Sequence, residues 1–183
     1  MTKDAAQRRR WGFYGSIKID PGGNSMVSFE DLRKMFLLQN LSDSMLGKML
    51  PFAQVRIFGE RSVIFKEGDF AEIFYMLLKG KVLLEVEVSE TVNVSLGAIK
   101  PGYSFGWSAL IPGSSYTSYA VCVEPCEVIT IPGNRILQIL DQDTTMGYQI
   151  MTGVVAILKR RLERRTGQFL KTLRTHPDIE KIF

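Results

Sequence analysis

The chain is 183 residues long, 45% hydrophobic and 23% charged, with a formal net charge of +4, the make-up of an ordinary globular domain with one sizeable core. No apolar run approaches the roughly 20 residues needed to cross a bilayer, and the stretch after Arg8-Arg9-Arg10 is too short and too polar for the core of a secretory signal. One histidine and two cysteines furnish neither a metal cluster nor a Ser/His/Asp set, so the chain reads as cytoplasmic and not as an enzyme.

Residues 1–27 read as a polar, glycine-bearing arm, broken at Pro21-Gly22-Gly23. Ser28 before Phe29-Glu30-Asp31 is a helix cap with early acidic residues, and the helix is expected to run through Leu32, Met35, Phe36 and Leu38. Ser42-Asp43 starts a second short helix carrying Met45, Leu46 and Met49, and Pro51 ends it. From Phe52 to about Pro132 short apolar or alternating runs are separated by turns. The expected strands are 55–58, 62–65, 73–78, 82–88, 92–99, 116–123 and 127–131. In the fourth, Val82, Leu84, Val86 and Val88 share one face, with Leu83, Glu85 and Glu87 on the other. So many short strands with regular turns argue for a sandwich or barrel, here a jelly-roll-like closure. Cys122 and Cys126 bracket Glu124-Pro125; they read as buried free thiols, a redox pair being the sharper alternative.

After Pro132-Gly133 the period becomes helical. Ile136, Leu137, Ile139 and Leu140 mark a short helix, and a long one begins near Asp143 or Thr144. Gly147, Met151, Val154, Leu158 and Leu162 form one stripe, widened by Ile150 and Ile157. That stripe either packs on the roll of its own subunit or pairs with a second copy, and pairing is the preferred reading. The expected homodimer seam is Ile150, Val154, Ile157, Leu158 and Leu162. Lys159 to Arg165 reads as a solvated continuation, and Arg8–Arg10 as a solvated or anion-contacting cluster. The resulting division is an arm (1–27), a β-roll with N-terminal helices (28–142), a long helix (143–168) and a tail (169–183) that holds His176.

The segment Phe105-Gly106-Trp107-Ser108-Ala109-Leu110 follows the turn signal Pro101-Gly102 and stops at Pro112-Gly113. A glycine at the mouth of a short helix admits a ligand to bare amide N–H groups, which favour an anion such as a phosphate. Yet no Lys or Arg occurs between Lys100 and Arg135. The rim is neutral and rich in hydroxyls, with Ser104, Ser108, Tyr116, Thr117 and Ser118 among them. Trp107 either plugs such a pocket or stacks on a flat ligand, and the lack of a nearby cation favours the plug.

The ordered series Gly59-Glu60, Ile64 to Asp69, Phe74-Tyr75, Lys79 to Val82, Pro101 to Gly106 and Ala109-Leu110 resembles the cyclic-nucleotide-binding domain. Catabolite-activator-type bacterial regulators and kinase regulatory subunits carry this domain, and the resemblance covers about residues 30–165. It implies a mainly β fold: a double-stranded β-helix flanked by helices, plus a long C-terminal helix that often forms a dimer seam. In that family the cassette reads Phe-Gly-Glu-x-Ala-Leu, with an Arg some residues later; the Glu meets the ribose hydroxyl and the Arg the cyclic phosphate. Here Trp107 stands at the Glu position, and Tyr116 or Thr117 at the Arg position. Charge-assisted bonds contribute about 1.5–3 kcal/mol each, so losing both weakens binding on the order of a hundred- to ten-thousandfold.

The expected function is a stand-alone regulatory or sensor protein that does not bind cyclic AMP in the usual mode. The alternative is a ligand-free protein-interaction module with Trp107 in the pocket. The candidate ligand-binding residues are Phe105, Gly106, Trp107, Ser108, Ala109, Leu110, Tyr116, Thr117 and Ser118. A cyclic nucleotide or another small ligand is the only cofactor-like group implied, and a protein partner is compatible with either reading. About 20 residues follow Leu162, too few for a helix-turn-helix unit, so sequence-specific DNA binding is not expected.

Overall fold

The computed structural model describes residues 25–89 and 92–174. Most of the expected arm, and the end of the expected tail with His176, lie outside the described residues. The strands are β1 (Ser25–Met26), β2 (Gln54–Phe58), β3 (Val63–Phe65), β4 (Ile73–Lys79), β5 (Val82–Ser89), β6 (Val92–Ile99), β7 (Ser104–Phe105), β8 (Tyr119–Cys122) and β9 (Cys126–Pro132). They form two antiparallel sheets, ordered β1-β2-β9-β4-β7 and β3-β8-β5-β6. The helices are α1 (Phe29–Arg33), α2 (Asp43–Met49), α3 (Gly133–Gln142) and α4 (Thr144–Arg174). The fold is the expected roll, mainly β, with flanking helices and a long C-terminal helix.

Four consecutive residues of β4, Phe74 to Leu77, are buried, as are Val128 to Ile131 of β9. Continuous burial marks strands covered on both faces. Leu32, Leu46, Ile136, Leu140, Met146 and Ile150 of the helices join the same core. The far half of β5 departs from the expected alternation: Val82 is buried, but Glu87 to Ser89, Val88 included, are exposed, so that end of the hairpin extends past its cover.

Ser28 caps α1 through a reciprocal box: the Asp31 amide donates to Ser28 Oγ at 3.1 Å, and the Ser28 amide to Asp31 Oδ2 at 3.2 Å. The helix ends earlier than expected. The Phe36 amide donates to the Gly102 carbonyl at 2.9 Å, and Met35 and Leu38 bond three residues back. A tertiary bond thus diverts the helical ladder, and the remaining apolar residues pack as turns. Ser42 caps α2, accepting from the Met45 amide at 3.3 Å.

The long helix α4 runs past the expected boundary, to Arg174. Its apolar residues divide between two faces. Ile150 is 1% exposed, and Val154 and Ile157 pack against the core of the same chain. These three expected seam residues are therefore occupied within the subunit. Close packing holds α4 there: a Cβ on Gly147 would lie 3.0 Å from the Leu140 carbonyl, and one on Gly153 3.0 Å from Leu37. Leu158 and Leu162 remain exposed.

Candidate functional site

The cassette is fixed from both sides. β7 pairs with β4, placing Phe105 opposite Tyr75 and Ser104 opposite Met76. Gly106 then adopts φ +72°, ψ 34°, and starts a single 3₁₀ turn, Trp107–Leu110. A Cβ at Gly106 would lie 2.7 Å from the Tyr75 ring and 3.1 Å from the Ile73 carbonyl. This glycine therefore answers to the left-handed backbone and to close packing. On the other side, α3 begins against the turn: Gly133 has no room for a Cβ because the Ala109 carbonyl fills that space, and its amide donates to Glu72 O at 2.8 Å.

A cavity of about 430 Å³ lies beside the turn. Of the candidate residues, Gly106, Trp107, Ser108, Tyr116, Thr117 and Ser118 line it. Phe105 and Ala109 are buried beneath, and Leu110 packs against the core. Tyr116 is stapled in place: its hydroxyl donates to Ile73 O at 2.8 Å and accepts from the Ile73 amide at 3.1 Å. Its ring stacks on Phe65 with centroids 3.8 Å apart. Burial pushes the phenol pKa of both Tyr75 and Tyr116 up, so both stay neutral near pH 7. One 3₁₀ turn offers little dipole, and its first amides, Trp107 and Ser108, have no acceptor inside the turn.

The expected absence of a cation is corrected by α4. Leu158, Arg161, Leu162 and Arg165 line the same cavity. Arg161 Nη2 donates to the Ser104 carbonyl at 2.9 Å, and its guanidinium carbon lies 5.9 Å from the Trp107 ring centre. The Lys159–Arg165 segment is thus only partly a solvated continuation. Burial, then the charges of Arg165 and Arg164, lower the Arg161 pKa; an arginine so placed still carries its charge. Among the described residues no carboxylate pairs with Arg160, Arg161, Arg164 or Arg165, and Glu163 of α4 pairs with Lys159. Trp107 packs edge-on against Phe74, centroids 5.0 Å apart. Its Nε1 and the Ser104 hydroxyl are buried without a partner. The cavity remains open beside the indole.

Sequence reasoning missed Arg161 and Arg165. The available signal was the doubled i, i+4 spacing of Arg160/Arg164 and Arg161/Arg165, with Glu163 as the only acid in that stretch. Elsewhere, Cys122 and Cys126 are free and buried. Burial, then the bond to Cys126, pushes the Cys122 thiol up to about 12, which leaves it protonated and unreactive. Among the described residues no group of three or more His, Cys, Asp or Glu side chains could hold a metal ion, and no helix is long and apolar enough to cross a membrane.

Residues 55–143 match the profile of the cyclic nucleotide-binding domain. A solved Geobacter metallireducens GS-15 protein, described as cyclic-nucleotide-binding, is 31% identical with a TM-score of 0.66; the match covers 75% of this chain and 99% of that one. The catabolite activator protein of Thermus thermophilus is 25% identical, with a TM-score of 0.62, over 75% of this chain and 62% of that one. The global nitrogen regulator of a Synechocystis species is 31% identical over 113 residues, 60% of this chain and 49% of the relative. That of a Nostoc species is 30% identical over 104 residues, 55% of this chain and 46% of the relative. The chain spans about half the length of the curated relatives it matches.

Proposed function

The chain belongs to the cyclic-nucleotide-binding-domain family, and from that premise we propose that it is a non-catalytic regulatory module whose cradle takes a small anion in an unusual mode. The family's two charged contacts are replaced by Trp107 and by Tyr116 or Thr117, and Tyr116 is committed to the Ile73 backbone. The charge comes instead from α4. The single observation that carries this reading is Arg161, partly buried at the cavity and, among the described residues, hydrogen-bonded to a carbonyl with no carboxylate paired to it. A guanidinium so placed binds a phosphate or carboxylate through a two-pronged bond. Ser108, Thr117 and Ser118 add hydroxyls, and Trp107 offers a flat face.

The same arrangement supplies a mechanism. An anion drawing Arg161 off the Ser104 carbonyl acts directly on the helix that bears it. The helix also offers a surface for a second copy. Tyr148, Met151, Val155, Leu158, Leu162 and Phe169 are exposed and fall three or four residues apart, with one gap at Arg165. Pairing through this stripe, not through Ile150, Val154 and Ile157, relays ligand engagement across a dimer.

Titration calorimetry with cyclic AMP, cyclic GMP and a panel of phosphorylated and carboxylated metabolites tests the site. A saturable response that weakens at least about tenfold in Arg161→Gln is the expected result. Silence from every compound overturns sensing, and leaves the interaction-module reading in its place.

A further inference from the structure

A second hollow, of about 500 Å³, lies on the other flank of α4, against β6 and the turn that follows it. Four arginines of α4 line it, at 160, 161, 164 and 165, and Lys100 adds a fifth cation. Among the described residues no acidic side chain lines it. The arginines form two i, i+4 pairs of like charge, an arrangement that by itself destabilises a helix. The strand is shaped to receive them. β6 is bulged between the Leu84–Gly97 and Glu85–Ser95 pairs. Gly97 holds φ +152°, and an added Cβ would lie 3.0 Å from Arg164 Nη2. A side chain there would need that guanidinium to give way by a few tenths of an ångström. Phe36 and Tyr103, ring centroids 4.6 Å apart, also line the hollow and remain half-exposed.

We infer that this hollow is a second anion site, built for a nucleotide that carries two or more phosphates. Forked guanidinium groups bind adjacent phosphate oxygens in pairs. The Phe36–Tyr103 pair gives a base a surface to stack on. The cations converge in a concavity instead of spreading along a strip, which suits a compact polyphosphate better than a long duplex. Arg160, Arg164 and Lys100 line only this hollow; Ser108, Thr117 and Ser118 line only the cradle; Arg161 and Arg165 line both. The inference therefore does not rest on the cradle binding anything. Where both sites fill, they share these two arginines, with Leu84 and Leu96 between them.

The test is calorimetry on the full chain with inorganic pyrophosphate, ADP and ATP at matched ionic strength. Saturable binding is expected, at least about tenfold weaker in Arg160→Gln/Arg164→Gln and still saturable in Thr117→Val/Ser118→Ala, which alters only what the cradle contributes. Phe36→Leu should weaken ADP and ATP more than pyrophosphate. Both arginines are exposed and repel each other, so the double variant should keep its circular dichroism spectrum and melt no lower than wild type. If wild type binds no tighter than the arginine variant, the site does not exist. If Thr117→Val/Ser118→Ala removes the binding instead, the anion sits in the cradle and this inference falls while the cradle reading stands. Duplex DNA that binds the arginine face and resists competition by pyrophosphate also overturns it.

Discussion

At Gly106 two demands meet on one residue: a left-handed backbone and a Cβ position 2.7 Å from the Tyr75 ring. Gly68 has the first demand alone, at φ +85°, with nothing within 4 Å. Left-handed backbone costs an ordinary residue roughly 1–2 kcal/mol. Gly68→Ala should lose about that much in denaturant unfolding, and Gly106→Ala at least about 1 kcal/mol more, since a packed ring must shift. Equal losses would mean that the Tyr75 ring yields freely. The cassette sequence announced this glycine, but not its full reason. Sequence reading offered turn geometry and ligand approach; Gly106 does line the cavity, and packing against Tyr75 and Ile73 is a further demand that no local pattern shows. Nor could local sequence show Arg161 at the pocket, because the contact joins residues 57 apart in the chain.

Among the elements, α1 shows how a short helix is held by its first residues. Burial pulls the Asp31 pKa up, but bonds from Lys34 and Ser28 outweigh it and hold the carboxyl below 3.8. The folded value lies under the unfolded one, so the stabilising contribution is whole above about pH 4 and is lost as pH falls through the folded value. Ser28→Ala should cost about 1 kcal/mol at pH 7. Asp31→Asn should destabilise at neutral pH, and its gap to wild type should close on acidification below 3.8; a gap constant with pH would mean that the carboxylate charge is idle. Both caps and most strands were legible because their signals are local: Ser28 with Asp31, Ser42, and apolar runs ended by Gly or Pro. β1 and β7 were not, being two residues long and defined only by their partners. The end of α1 was set by Gly102, far along the chain.

For the whole molecule, α4 both seats the roll and presents an apolar stripe outward, with Val155 65% and Leu162 68% exposed. Its period was readable, but its rotation about its own axis was not: Ile150, Val154 and Ile157 fit either face until Leu37 and Leu140 claim one. Val155→Glu/Phe169→Glu, placed outside both cavities, should convert a dimer to a particle of 20.7 kDa in sedimentation equilibrium without loss of secondary structure. A wild-type mass already at that value would remove the dimer relay. The reach of Arg161 also bears on where such a protein can be cut. The stretch matching the family profile closes at residue 143, eighteen positions ahead of that guanidinium. A fragment trimmed to the family's edge would keep every cassette residue and shed the positive charge, so its failure to recognise a compound would say nothing about the intact chain.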